Sequence, residues 1–354
     1  MKNLLLTFLL GFISLTSAAQ QSYEWEELFE ELYASNDENT DAKEQTFELL
    51  ADLSEHPLNL NTASREELER IPFLTAEQIE DIQAYVYQYH GMQSLGELAM
   101  IESLDALRRQ LLSYFVSVSP IDEQRQFPTL SSIVKGGKQT LLFTAYLPFY
   151  QRAGDRNGYL GYPYTHSFRY SFRYADYVQA GLVGAQDAGE PFFAHRNSLG
   201  YDHYSFYLLL RKMGRLKSLV VGRYKVNFGQ GLVINNSFSF GKLAILSTLG
   251  RQSAGVHAHS SRSPVNYLQG GAATIELAKH IDITAFLSYR SIDASLTESG
   301  TIKTILRTGY HRTEREMRGK DAATQFAGGT HLAWSSGAYR MGLTAIYSCF
   351  NKDL

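Results

Sequence analysis

Residues 167–174 read Ser167-Phe168-Arg169-Tyr170-Ser171-Phe172-Arg173-Tyr174. Aromatic and polar side chains alternate with a period of two, which in an extended chain sends them to opposite faces of a strand. The alternation returns twice. Ile281, Ile283, Ala285, Leu287 and Tyr289 interleave with Asp282, Thr284, Phe286, Ser288 and Arg290. Tyr339, Met341, Leu343, Ala345 and Tyr347 interleave with Arg340, Gly342, Thr344, Ile346 and Ser348. A soluble sandwich alternates too. Runs near the ~9–11 residues of a membrane strand, with aromatic ends, point instead to an outer-membrane β-barrel.

Strands are expected near 139–151, 167–176, 177–186, 204–211, 216–227, 270–278, 280–290, 325–334 and 339–349. The connections at 175–177, 212–215, 279–280 and 335–337 are tight, whereas those at 153–166, 187–203, 228–269 and 291–324 are long. Long and short alternate throughout, as in barrels with long outer loops and tight periplasmic turns. The expected strand count is odd, and Phe350-Asn351-Lys352-Asp353-Leu354 lacks a terminal aromatic. An unclosed barrel exposes unpaired edges to hydrocarbon, at several kcal/mol per unsatisfied group. The barrel strands (139–354) are therefore expected to be incomplete, as a truncated product or as part of a longer chain.

Working back towards the N-terminus, residues 1–19 read as a signal peptide. Lys2 is the charged start, residues 4–15 the apolar stretch, and Ser17-Ala18-Ala19 the small-residue cleavage site. Export to the outer membrane, with an N-terminal domain in the periplasm, is the expected localisation. The single cysteine, Cys349, excludes an internal disulfide framework. Tyr (23), Phe (20) and Gly (28) are abundant, which suits strands with one face in lipid. The net charge of -3 hides an asymmetry. About 21 acids face 5 bases over residues 20–120, against about 15 and 27 over 121–354. Two different objects meet near residues 120–128.

Residues 20–57 form an acidic helical segment, with Trp25, Leu28, Phe29, Leu50 and Leu53 among its helix-spaced apolar positions. Three capping-box patterns follow: Ser64-x-x-Glu67, Thr75-x-x-Gln78 and Ser94-x-x-Glu97. Leu58-Asn59-Leu60-Asn61-Thr62-Ala63-Ser64, then Glu66-Glu67-Leu68 and Ile71-Pro72, resembles the opening of the tandem helix-hairpin-helix module of competence-type DNA-binding proteins. The resemblance covers residues 58–118 and takes in Tyr89-His90-Gly91 and Leu95-Gly96-Glu97-Leu98. It implies an all-α domain and contact with DNA through two hairpin turns. Those turns fall at Pro72, Phe73, Leu74 and Thr75, and at Glu102, Ser103, Leu104 and Asp105. The family's hairpins carry glycines that admit phosphate to a helix N-terminus. Neither turn here has one, and acids occupy the second. Nucleic-acid affinity comes mainly from Lys and Arg, so the acidic surroundings favour a docking or structural role over DNA binding.

The expected fold class is thus α+β multidomain: a small all-α tandem helix-hairpin-helix domain, a linker at 119–138, then antiparallel transmembrane β-barrel strands. Arg169, Arg173, Arg211, Arg223, Arg290 and Arg340 are lumen-facing candidates, favouring anionic solutes or only pairing with neighbours. The glycine-rich run from Gly222 to Leu232 resembles a segment of helix-hairpin-helix proteins with a C-terminal barrel; it reads as an inward constriction or as a rim bulge. His257-x-His259 has chelating spacing without a nearby acidic or sulfur partner, so no metal and no cofactor are expected. No phosphate loop, activated nucleophile or paired-carboxylate motif occurs, and no enzymatic activity is expected. The expected function is a non-enzymatic outer-membrane protein whose periplasmic module docks a protein partner or organises the barrel. DNA handling and an anion-preferring diffusion channel are the alternatives. Outer-membrane lipid is the expected surrounding.

Overall fold

A computed structural model describes residues 25, 28–29, 50, 53–54, 57–63, 65–69, 71–119, 127–156, 158–229, 231–234, 255–260, 266–336 and 339–353. The signal peptide, most of the acidic segment and the Ser64 cap lie outside the described residues. The described residues fall into two compact units, one within 25–119 and one within 127–353.

The first unit is mainly helical. β1 (Leu58–Asn59) leads into α1 (Arg65–Leu68) and α2 (Ala76–Gln88), then a 3₁₀ turn (Leu95–Met100), α3 (Ala106–Leu112) and β2 (Val116–Ser117). The all-α expectation is corrected by β1 and β2, which form a short parallel ladder. Apolar side chains at helical spacing fill one core: Leu68, Ile71, Leu74, Ile79, Ile82, Leu98, Leu111, Leu112 and Phe115 are buried, with Trp25 packed edge-on against Phe115. The resemblance motif has a physical job in this core. Asn61 Nδ2 donates to Met92 O (2.9 Å) and Ser119 O (2.9 Å), while Asn61 Oδ1 accepts from Met92 N (2.7 Å). Asn59 Oδ1 accepts from Ser119 N (3.1 Å). The two asparagines thus tie residues 59–61 to Met92 and to Ser119 near the end of the unit.

The second unit begins with α4 (Leu130–Gly136), capped by the Thr129 hydroxyl, so the expected linker at 119–138 contains a helix. Then come β3 (Lys138–Tyr146), α5 (Ala153–Arg156), β4 (Thr165–Tyr174), β5 (Val178–Gln186), β6 (His203–Met213), β7 (Leu216–Asn227) and β8 (Gly255–Ala258). β9 (Leu268–Ala278), β10 (Ile281–Ile292), β11 (Ala294–Leu296), β12 (Ile302–Ile305), α6 (Glu314–Gly319), β13 (Ala323–Ser336) and β14 (Tyr339–Phe350) complete it. The long strands form one antiparallel sheet in the order β14-β13-β10-β9-β7-β6-β5-β4-β3, with β8 added on β7. Among the described residues the sheet is open, with β3 and β14 at its edges.

Period-two patterning found the long strands. It missed β8, the β11–β12 hairpin, α5 and α6, which lie within the long connections and are too short to show a period. Residues with left-handed backbone mark the tight turns: Ala175 (φ 42°) opens the link between β4 and β5, Lys212 (φ 61°) is the last residue but one of β6, and His280 (φ 70°) sits in the two-residue link between β9 and β10.

One face of the sheet exposes large apolar side chains, and the other shelters polar and apolar ones together. On β10, Leu287 and Tyr289 are 62% and 65% exposed, whereas Thr284, Phe286 and Ser288 on the other face are 5%, 2% and 2% exposed. On β14, Met341, Leu343 and Tyr347 are exposed, and on β13, Leu332 and Trp334 are exposed while His331 is buried. The sheltered face carries a small core of Leu209, Val220, Tyr224, Val226, Ala272 and Phe286.

Candidate functional site

The hairpin turns of the first unit are filled from within. Thr75 caps α2: its hydroxyl accepts from Gln78 N (3.2 Å), and Gln78 Oε1 accepts from Thr75 N (3.0 Å). Gln78 Nε2 also donates to Ser103 O (2.8 Å), tying the first turn to the second. Asp105 caps α3 by accepting from Arg108 N (2.8 Å), and it pairs with the Arg108 guanidinium. Phe73, Leu74 and Leu104 are buried, and Arg108 Nε donates to Phe73 O (3.3 Å). A helix N-terminus binds phosphate through unoccupied N–H groups; here a hydroxyl and a carboxylate take N–H groups in the first turns of α2 and α3. Pro72 and Glu102 belong to the same two turns.

Of the arginines singled out from sequence, the structure brings two together. Arg223 on β7 and Arg290 on β10 share one aromatic ring, with their guanidinium carbons 4.2 Å and 5.2 Å from the Tyr267 centroid. Arg223 Nε donates to Gln269 Oε1 (3.2 Å), and its Nη1 lies 3.0 Å from the His203 ring. An arginine N–H only donates, so the ring nitrogen it faces acts as the acceptor. Arg290 donates to Gln325 Oε1 from Nε (3.1 Å) and Nη2 (3.0 Å), and to Tyr267 O from Nη1 (2.6 Å). His259 stacks on Tyr267 at 5.5 Å. Arg169 and Arg173 sit on β4, Arg211 on β6 and Arg340 on β14.

The glycine-rich run bends the chain beside this belt. Gly222 has φ +102°, and a Cβ there would lie 2.4 Å from Phe206 O. Its register partner Gly270 would place a Cβ 2.3 Å from Leu287 O, the carbonyl to which Tyr224 Oη donates at 2.7 Å. Past Phe228 the chain returns as β8 along β7, pairing Asn227 with Gly255. His257 and His259 lie on and just beyond β8.

A second cluster was not legible in the sequence. Residues after β5, after β10 and around α6 converge on Asp202. His311 Nδ1 lies 2.6 Å from Asp202 Oδ2, and its Nε2 lies 3.1 Å from Asp293 Oδ2. Lys320 Nζ donates to Asp202 Oδ1 (2.9 Å), Asp202 O (3.1 Å) and Asn197 Oδ1 (2.6 Å). Glu190, almost fully buried, accepts from His311 N (2.9 Å) and Asp187 N (2.9 Å). Burial would raise the Asp202 carboxyl, but the His311 hydrogen bond and the His311 and Lys320 charges overcome it and hold Asp202 at about 2. Burial would lower His311, yet its bonds to Asp202 and Asp293 push it up to about 9. Burial, reinforced by the Asp202 charge, pushes Glu190 up to about 8.

At neutral pH His311 is therefore a cation facing the Asp202 anion, with Glu190 protonated. Ligand-type atoms of Glu190, Asp202 and His311 lie within 4.8 Å of one another, the spacing of a metal site. The chemistry argues for a salt-bridged knot instead. The Lys320 ammonium holds the cation's place on Asp202, and both imidazole nitrogens are engaged with carboxylates. No family model, curated protein or solved structure matches the chain.

Proposed function

We propose that this is a non-enzymatic outer-membrane β-strand protein whose helical unit serves as a periplasmic docking or structural element. The observation that carries the reading is the apolar outward face of the sheet: Leu287, Tyr289, Leu343 and Tyr347 lie exposed while the polar Thr284, Ser288 and His331 are sheltered. In water such a face would be a large aggregation-prone patch; in hydrocarbon it is the expected lipid-facing surface. No described helix is long and apolar enough to cross a membrane, so strands would carry the insertion. In lipid the edges β3 and β14 need hydrogen-bonding partners.

A docking or structural role for the helical unit is supported by its filled hairpin caps and by the asparagine clamp of Asn59 and Asn61. A non-enzymatic reading is supported by the knot, whose acids and histidine are already engaged with one another. The arginine belt favours one additional reading, passage or binding of anions along the sheltered face.

The test reconstitutes the full chain into phospholipid vesicles, followed by an alkaline carbonate wash and flotation. Protein that stays with the vesicles supports the membrane reading, and protein released into the wash defeats it. A gel-shift titration of the same protein with duplex DNA at low salt separates the roles of the helical unit. Salt-sensitive binding at micromolar protein would displace docking in favour of DNA handling.

A further inference from the structure

Arg223 and Arg290 present two positive charges around one ring, and every acceptor they meet is neutral: Gln269, the His203 ring, Gln325 and the Tyr267 carbonyl. Among the described residues neither has a carboxylate at ion-pair distance, and Arg223 Nη2 makes no hydrogen bond.

Two carboxylates adjoin the belt along the chain, Asp202 just before β6 and Asp293 just after β10. Both are committed elsewhere. Asp202 holds His311, Lys320 and Asn197, and Asp293 holds His311 and the Asp321 N–H. The long connection that adjoins β7 offers no counter-charge either. From Phe228 to Thr274 the sequence has no Asp or Glu, while it carries Lys242, Arg251 and Arg262. Asp321 acts on Arg223 and Asp293 on Arg290 only from beyond ion-pair distance, so the two like charges share one ring with no carboxylate in contact among the described residues.

We propose that the Arg223–Tyr267–Arg290 stack is a binding site for an oxyanion, a phosphate or carboxylate group that receives hydrogen bonds from Arg223 Nη2 and bridges the two guanidiniums. Guanidinium groups suit such ligands because their planar donors match oxyanion geometry and are weakly hydrated. Tyr267 holds both side chains by cation–π contact, and the two glutamines fix their rotation, so the donors are set before the ligand arrives. The proposal rests on the reading of the sheltered face as open to water.

The experiment is arginine footprinting of the full chain in detergent micelles with phenylglyoxal, mapped by mass spectrometry. Inorganic phosphate is titrated in one arm and acetate in the other. Without added anion, Arg223 is expected to react. With phosphate at about ten times its Kd, its modification is expected to slow about tenfold, since protection follows 1 + [L]/Kd. Exposed Arg156 should keep its rate. Protection by both anions assigns the site to oxyanions generally, and protection by phosphate alone narrows it to phosphate groups. Reaction of Arg223 that neither anion slows, or slowing equal to that of Arg156, overturns the site and leaves the watered face standing. Failure of Arg223 to react at all overturns both. In the Arg223→Gln variant, with strand content checked by circular dichroism, phosphate protection of Arg290 should vanish; its persistence overturns the bridge. If that variant does not fold, footprinting of the unaltered chain decides alone.

Discussion

His311 Nδ1 and Asp202 Oδ2 are 2.6 Å apart although 109 residues separate them in sequence. That contact ties the segment before β6 to the connection between β10 and β13, and its strength depends on protonation. His311 rises on folding from 6.5 to about 9, and Glu190 from 4.5 to about 8. A raised pKa means that the folded chain binds more protons than the unfolded chain across the window between the two values. Stability then falls as pH rises through it. Asp202 shifts oppositely, and its contribution is lost only as pH falls from 3.8 towards about 2. The knot should therefore weaken progressively between pH 4.5 and 9, most steeply between 6.5 and 8 where the two windows overlap. Hydrogen exchange of the His311 and Asp187 amides, corrected for intrinsic base catalysis, should show protection declining over that window. Constant protection up to pH 10 would contradict the assigned charges.

Asp202→Asn removes the anion shared by His311 and Lys320 and leaves the Lys320 ammonium in a buried setting without its carboxylate. Breaking one member of a buried pair costs about 3–5 kcal/mol. The loss should be local, because the knot lies outside the strands. Limited proteolysis should open the 187–202 and 311–321 segments in the variant while strand content by circular dichroism stays unchanged. Equal cleavage rates in variant and parent would refute the role given to Asp202.

The contrast between belt and knot explains what the sequence could reveal. Strands announce themselves because the period of two is local, and residues 281–290 carry it whole. The helical unit was legible through Thr75-x-x-Gln78, which acts within a few residues, and through the Asn59–Asn61 motif, although the contacts of that motif with Met92 and Ser119 reach across the unit. Arg223 and Arg290 were visible as lumen-facing candidates, but their meeting at Tyr267 depends on the register of β7, β9 and β10. The knot left no local signal at all: Asp202 and Lys320 lie 118 residues apart, and each looks like an ordinary loop charge. The short elements β8, β11 and β12 were hidden for a related reason, since three or four residues cannot display a period.

Leu287→Arg tests the solvent of the exposed face. Leu287 sits in the middle of β10 on the side carrying Tyr289. An arginine facing the bilayer midplane costs about 2–4 kcal/mol. An exposed surface position in water would tolerate the same change within about 0.5 kcal/mol. Urea unfolding of vesicle-reconstituted protein should show the larger loss, and a shift within the smaller figure would count against a lipid-facing surface.

Asp105→Ala removes the carboxylate that caps α3 and partners Arg108. Loss of an N-cap costs about 1 kcal/mol, with a range of about 0.5–2. If the turn is a structural element, thermal melting of the helical signal should fall by that amount, and neither parent nor variant should give a gel shift with duplex DNA. Gel shifts that appear once the carboxylate is removed would show that the turn is a phosphate site blocked only by Asp105.

Gly222 and Gly214 form a matched pair for separating backbone conformation from close approach. Both have positive φ, +102° and +64°, so an alanine at either position meets conformational resistance, of about 1 kcal/mol or more. Their surroundings differ. A Cβ at Gly214 has nothing within 4 Å, whereas one at Gly222 would lie 2.4 Å from the Phe206 carbonyl and 2.9 Å from its ring. Gly222→Ala must therefore displace β6 from β7 at the point where the belt begins, and Gly214→Ala need not. The Gly222 variant should lose clearly more stability to urea than the Gly214 variant. It should also loosen the Tyr207–Gly222 register, read as faster exchange of the β6 amides. Equal losses in the two variants would mean that the close approach of Gly222 to β6 has no energetic weight and that only its backbone angle matters.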